Sequence, residues 1–201
     1  MNDIYYYEYE YDSYYCYQDS NILKNKFNYK DQELLSEVER RFSAVRTEQL
    51  LNSFDGKKID SKLLKHIHKY IFQDVYEWAG EYRKVDIAKG NMFCRSTFIP
   101  EQVEAVMQSI DKDYINATLD KNEVAVKIAH FLGDINAIHP FREGNGRTQR
   151  IFIKILAQSK GYDIDYSKIS KEEMLEASKR SFDLDYSLME EIIKKSIELY
   201  E

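Results

Sequence analysis

His139-Pro140-Phe141-Arg142-Glu143-Gly144-Asn145-Gly146-Arg147-Thr148-Gln149-Arg150 is the stretch on which the reading of this chain turns. A residue before proline is driven out of the α region, so the helix expected from Lys121 to Ile138 must end where His139 meets Pro140. Gly144 and Gly146, on either side of Asn145, let backbone N–H groups turn inward at the start of the next helix. A helix N-terminus already favours negative charge there, so the loop reads as an anion cradle. Arg147 and Arg150 add planar, permanently charged forks suited to phosphate oxygens. Glu143 is the single carboxylate in this cationic ring. Among phosphate binders a carboxylate suits Mg²⁺, which takes one or two acidic ligands plus substrate phosphates. His139, with an ordinary pKa of about 6.5, is left to remove a hydroxyl proton. The loop is not a Walker A sequence, because Lys-Ser/Thr after the last glycine and a preceding strand are both missing.

Working outward, Ile151, Phe152, Ile153, Ile155 and Leu156 make the segment from Arg147 to Ser159 a buried central helix that closes at Gly161. Before the motif, Val124, Ile128, Phe131, Leu132 and Ile135 form one helical stripe. Leu34, Leu35, Val38, Phe42, Val45, Leu50 and Leu51 form another. An Asp60-Ser61 cap opens a helix with Leu63, Leu64, Ile67, Ile71, Phe72 and Val75 inward, ended by Trp78-Ala79-Gly80. Residues 81–99 lose the helical period and read as a β-hairpin, with 82–88 and 92–99 around Lys89-Gly90-Asn91. Pro100 suits the first residue of a helix running to Asn116. Two final helices carry capping boxes at Ser170-x-x-Glu173 and Ser187-x-x-Glu190. The fold class is all-α, a helical bundle around the motif helix with one hairpin.

At 201 residues a single core is the default. Composition divides the chain into an arm, 1–30, and a domain, 31–201. Eight of the 17 tyrosines lie between Tyr5 and Tyr17, mixed with acid, and no Lys or Arg precedes Lys24. Alternation from Tyr7 to Tyr11 suits an edge strand or an acidic aromatic tail docked on its own domain or on a partner, and the composition equally fits a surface-lying or partly disordered tail. With 29 Lys and Arg against 35 Asp and Glu, a net charge of -6 offers no broad cationic field for direct nucleic-acid binding. No apolar run reaches the roughly 20 residues of a spanning helix, and no signal-peptide pattern opens the chain. Cys16 and Cys94 suggest neither a staple nor a zinc site, which suits a reducing cytoplasm. His66, His68 and His130 read as ordinary core or surface histidines, and Trp78 as a packing residue.

His139 to Arg150 matches in full the pattern His-x-Phe-x-(Asp/Glu)-Gly-Asn-Gly-Arg-x-x-Arg of the Fic family, which this chain therefore resembles. The likeness extends through Asn21–Lys26, Phe72–Gly80 and Val85–Gly90 to stand-alone bacterial Fic toxins and Fic effector domains. The resemblance implies a Fic fold and transfer of AMP from ATP to a hydroxyl side chain of a target protein. It implies His139 as general base, Phe141 as core anchor and Glu143 as Mg²⁺ ligand. Asn145 with the Gly144 and Gly146 amides would hold the α-phosphate, and Arg147 and Arg150 the outer phosphates. Lys84, Val85, Asp86, Ile87, Ala88, Lys89 and Gly90 would belong to a flap that docks the target as an added strand. Met92-Phe93-Cys94-Arg95 stands where many flaps carry proline, so target preference does not carry over. The implied target is the ATPase subunit of a type II topoisomerase, and the alternatives are a non-catalytic interaction module or a Doc-like kinase. The kinase relatives have Ala-Asn-Lys-Arg where this chain has Gly144-Asn145-Gly146-Arg147. In this family an inhibitory helix of pattern (Ser/Thr)-x-x-x-Glu-(Gly/Asn) reaches the second motif arginine, here Arg150. Ser187-x-x-x-Glu191 has the spacing but is followed by Ile192, so the resemblance implies a small separate antitoxin carrying that helix.

Overall fold

Side-chain caps decide where the helices of this protein begin. In the computed structural model, which describes residues 12–54, 56 and 58–200, Asp31 accepts from the Leu34 N–H ahead of α1 (Gln32–Asn52). Asp60 accepts from the Lys62 and Leu63 amides ahead of α2 (Ser61–Phe72). A hairpin of β1 (Ala88–Lys89) and β2 (Asn91–Met92) follows, and α3 (Ile99–Ile110) runs on through a π turn at Asp111–Ile115. Asp120 and Glu123 form a full capping box for α4 (Lys121–Ile138), a start signal that sequence reading passed over. The motif helix α5 (Asn145–Gln158) leads to β3 (Tyr162–Ile164). The Ser170–Glu173 box opens α6 (Lys171–Phe182), and α7 (Ser187–Ser196) passes into β4 (Ile197–Leu199).

The expected central helix is central. Phe152, Ile153, Leu156 and Ala157 on α5 are fully buried, as are Val124, Ile128 and Ile135 on α4 and Leu64, Ile67 and Phe72 on α2. α5 sits between α2 and α4, while α6 and α7 cover the far side of α4. β3 pairs antiparallel with β4, Ile164 facing Ile197, and so ties the exit of α5 to the end of α7. This second pairing has no strong alternation to announce it, and it stands beside the expected hairpin rather than replacing it.

Five local expectations change. Helix α2 stops at Phe72 and gives way to turns, rather than running through Val75 to Trp78-Ala79-Gly80. The hairpin ladder is two residue pairs, Ala88 with Met92 and Lys89 with Asn91, rather than the longer strands expected. Helix α3 begins at Ile99, with Pro100 inside its first turn. Ser187 is not a cap: its hydroxyl donates to Asp185, and Tyr186 occupies the cap position of α7. On α1, Leu34, Phe42 and Val45 face solvent, while Leu35, Glu39, Ser43 and Leu50 face inward. The apolar stripe read from periodicity lies partly on the wrong face, because a polar network described below claims the inner one. The Tyr–Glu run from Tyr7 to Tyr11 lies outside the described residues. Among the described residues no helix is long and apolar enough to cross a membrane.

Close packing of α4 makes a specific prediction. A Cβ on Gly133 would lie 2.6 Å from the Tyr186 ring and 3.0 Å from Ser181 Cβ. Gly133→Ala should therefore cost about 1–3 kcal/mol by overpacking. Chemical denaturation is the check, the midpoint falling at unchanged slope.

Candidate active site

The site is built where α4 stops. His139 caps α4 in the left-handed region, φ 48°, a conformation uncommon for a residue with a Cβ. Its N–H still donates to Ile135 O, while its carbonyl accepts from Arg83 Nε at 2.9 Å. The next carbonyl, Pro140 O, accepts the Arg83 N–H at 2.9 Å. The chain turns back through Phe141, which is buried against the His68 imidazole with ring centroids 3.9 Å apart. Asn145 closes the corner with both ends of its amide: Oδ1 accepts the Phe141 N–H at 2.8 Å and Nδ2 donates to Phe141 O at 2.7 Å. At 2 % exposure, that side chain is committed to the loop. Of the expected pair of cradle glycines only Gly146 is exposed, because Gly144 is buried with its N–H given to the Glu143 carboxylate. Gly144, φ 80°, admits no side chain, since a Cβ there would lie 2.2 Å from the Phe72 ring. Gly146 is exposed, and a Cβ there would come within 3.4 Å of an Arg150 guanidinium nitrogen.

His139 is kept neutral. Burial, followed by the charges of Arg83 and Lys89, pushes its pKa down to about 3, against the opposing effect of the Asn136 carbonyl. Nδ1 lies 3.4 Å from Asn136 O; a proton donated there leaves Nε2 as the acceptor. The Phe93 ring stacks on the imidazole, centroids 3.9 Å apart, and itself packs on Phe182. Nothing in the sequence marked Phe93 as a neighbour of His139.

Glu143 and Arg147 stand together, Oε1 and Nη2 3.7 Å apart. Glu143 Oε1 accepts the Gly144 N–H at 2.8 Å, and burial, then the Glu39 charge, raises its pKa above the ordinary carboxylate value. Arg147 is shared with α1: Nη2 pairs with Glu39, Nη1 donates to Ser43 Oγ at 3.0 Å, and the guanidinium lies 4.6 Å over the Phe72 ring. Tyr76 OH donates to the other Glu39 oxygen. Glu39 and Ser43 are neighbours of the motif that the sequence did not disclose. Their sole signal is a polar pair four residues apart on a helix face. A hard oxygen ligand at Glu143, its side chain 30 % exposed, fits Mg²⁺. Among the described residues no three His, Cys, Asp or Glu side chains gather.

The flap residues lie beside this corner. Ile87 and Ala88 are buried, Gly90 turns the hairpin at φ 74°, and Asp86 accepts the Ser96 N–H at 2.6 Å. Lys84 is held by the arm: its N–H donates to Tyr15 OH at 3.2 Å, and its Nζ donates to Tyr14 OH at 2.8 Å. Asp12 of the arm pairs with buried Arg142 of the motif at 2.9 Å. Residues 12–30 thus dock on the domain, Tyr15 being 1 % exposed against Trp78.

The chain matches the Fic/DOC family over residues 58–157. It is 38% identical over 180 residues to protein adenylyltransferase VbhT of Bartonella schoenbuchensis, covering 89% of this chain and 38% of that longer protein. A relative from Sinorhizobium fredii, named "Probable protein adenylyltransferase y4lH", is 36% identical over 184 residues, 90% of this chain and 94% of the relative. The N-terminal Fic domain of a VirB-translocated Bep effector from Bartonella quintana, solved with bound ADP, superposes with a TM-score of 0.86. It is 28% identical, over 93% of this chain and 95% of that one.

His68 gives the testable consequence of this geometry. Its Nδ1 accepts the Gly80 N–H at 2.8 Å, so its proton sits on Nε2 and is donated to Glu143 O at 3.0 Å. Burial pushes its pKa down to about 3. Between pH 6.5 and 3 the unfolded chain therefore binds a proton that the folded chain does not, and stability falls as pH falls, by about 1.4 kcal/mol per unit for this group. Urea titrations across that window should show a shallower pH slope for His68→Gln than for wild type.

Proposed function

The chain belongs to the Fic/DOC family, and from that membership we propose that it is a protein adenylyltransferase moving AMP from ATP to a hydroxyl side chain of a target protein. One observation carries this reading: a neutral imidazole, His139, stands at the same corner as a backbone anion cradle on the N-terminus of α5. Their combination suits attack of a hydroxyl on a phosphorus atom. The target hydroxyl oxygen bonds to the α-phosphorus, and the bond to the oxygen bridging the α- and β-phosphates breaks. Pyrophosphate leaves, and His139 Nε2 takes the hydroxyl proton.

Nucleotide binding is supported by the ADP held in the Bartonella quintana relative. The exposed Gly146 end of the loop holds the α-phosphate, since the buried Gly144 has its N–H given to Glu143 Oε1 and Asn145 acts by closing the loop. Arg150 and Arg147 take the outer phosphates, Arg147 with two of its donors already given to α1. Glu143 would hold Mg²⁺, which when bound supplies charge to the phosphate oxygens. The target docks along the flap at Lys84 to Gly90, and the stand-alone toxin likeness favours a type II topoisomerase ATPase subunit as that target. Control would come from a small separate antitoxin reaching Arg150, as the family resemblance implies where Ile192 and not Gly or Asn follows Glu191. Two free cysteines fit work in a reducing cytoplasm.

Incubation of the purified chain and cell extract with α- or γ-labelled ATP tests the reading. AMP transfer keeps the α label, kinase action keeps the γ label, and a binding module keeps neither. His139→Ala should lower AMP transfer by about 10² to 10⁴ while nucleotide affinity holds. Glu143→Ala should abolish activity together with its Mg²⁺ dependence, because electrostatic positioning dominates phosphate transfer. Transfer at the wild-type rate in the first, or an unchanged Mg²⁺ titration in the second, rules out the assigned role.

A further inference from the structure

Arg83 lies just before the flap and was not marked by any motif. Its side chain is fully buried, and its donors fan out to four backbone carbonyls. Nε donates to His139 O at 2.9 Å, and Nη2 to Ile138 O at 3.2 Å and to Cys94 O. Nη1 donates to Val85 O at 2.7 Å. The Asp86 carboxylate lies 4.0 Å from Nη1 and already accepts the Ser96 N–H. A buried cation is costly unless hydrogen-bonded, so these carbonyls fix the guanidinium as firmly as it fixes them.

The four carbonyls are not neighbours in sequence. Val85 and Cys94 are the two feet of the flap, whereas Ile138 and His139 are the left-handed exit of α4. The flap has little rigidity of its own, because a ladder of two residue pairs is marginal in isolation. Other ties at this end include the Phe93 N–H to Ile87 O and the Cys94 N–H to Ala137 O, each 3.2 Å, the Lys84 N–H to Tyr15 OH and the stacking of Phe93 on His139. We propose that Arg83 is a positioning residue that sets the register of the flap against His139, so that a target strand docked on the flap presents its hydroxyl at the imidazole. The inference rests on the AMP-transfer reading and adds to it a reason why docking and proton removal occur in one frame. Misplacement of reacting groups by about 1 Å can cost 10²-fold in rate.

Arg83→Lys keeps the charge but replaces a planar fork with a single ammonium, which cannot span both feet and the α4 exit. Transfer from α-labelled ATP to extract proteins should fall by about 10²-fold, while calorimetric affinity for the non-hydrolysable analogue AMPPNP with Mg²⁺ is retained. Unchanged transfer, or loss of transfer matched by equal loss of AMPPNP affinity, would overturn the proposal, the latter marking a purely structural role. A second measurement needs neither variant nor activity. In wild-type protein the Arg83 Nε–H and the Phe93, Cys94 and His139 amides should share one opening free energy once each exchange rate is divided by the intrinsic rate of its group. Independent opening free energies would overturn the registering role even if AMP transfer is found, and a common one would support it even if wild type transfers no AMP and the parent reading falls.

Discussion

The left-handed turn at His139 is the constraint around which the rest is arranged. A non-glycine residue in that region carries strain of order 1–3 kcal/mol and persists only where the surroundings over-determine it. Here they do. Pro140 forbids continuation of α4, Arg83 holds the carbonyls on both sides of the turn, and Asn145 fastens Phe141 from below. The strained residue is also the one proposed to take the hydroxyl proton, so the cost falls where orientation matters most.

Around this corner the protein satisfies its buried polar groups almost entirely with backbone. His68 is strung between the Gly80 N–H and Glu143 O, and Arg83 rests on four carbonyls. Neutral histidines result, since burial without a nearby carboxylate disfavours the charged imidazole. The opposite solution is used at Arg147, where Glu39 and Glu143 flank the guanidinium and Phe72 lies beneath it. That arrangement supplies a fixed positive charge at the cradle while α1 carries part of its compensation. Helix α1 is thereby joined to the site by polar contacts rather than by the apolar stripe its sequence offers.

The arm belongs to the same architecture. Asp12 reaches Arg142 inside the motif, Tyr14 and Tyr15 reach Lys84 at the base of the flap, and Tyr15 packs edge-on to Trp78. Residues 12–30 brace two parts of the site that are far apart in sequence. Their tyrosines supply both apolar area and a hydroxyl, which suits a surface that must pack and hydrogen-bond together.

Sequence alone determined the helical class, the end of α4 at Pro140, the burial of α5 and the gathering of His139, Glu143 and the Gly144–Arg150 segment. All of these are local: a proline restricts its predecessor, a helical period shows in the apolar residues, and one stretch of twelve residues, a loop and the first turns of α5, cannot spread its side chains far. What only the tertiary structure decided involves partners distant in sequence. The inward face of α1, the pairing of Glu39 with Arg147, the stacking of Phe93 on His139, the short register of the flap and the binding of Arg83 to four carbonyls all depend on how helices pack. Periodicity records that a face is apolar, but it cannot record that a buried guanidinium elsewhere makes a glutamate and a serine the better residues to turn inward.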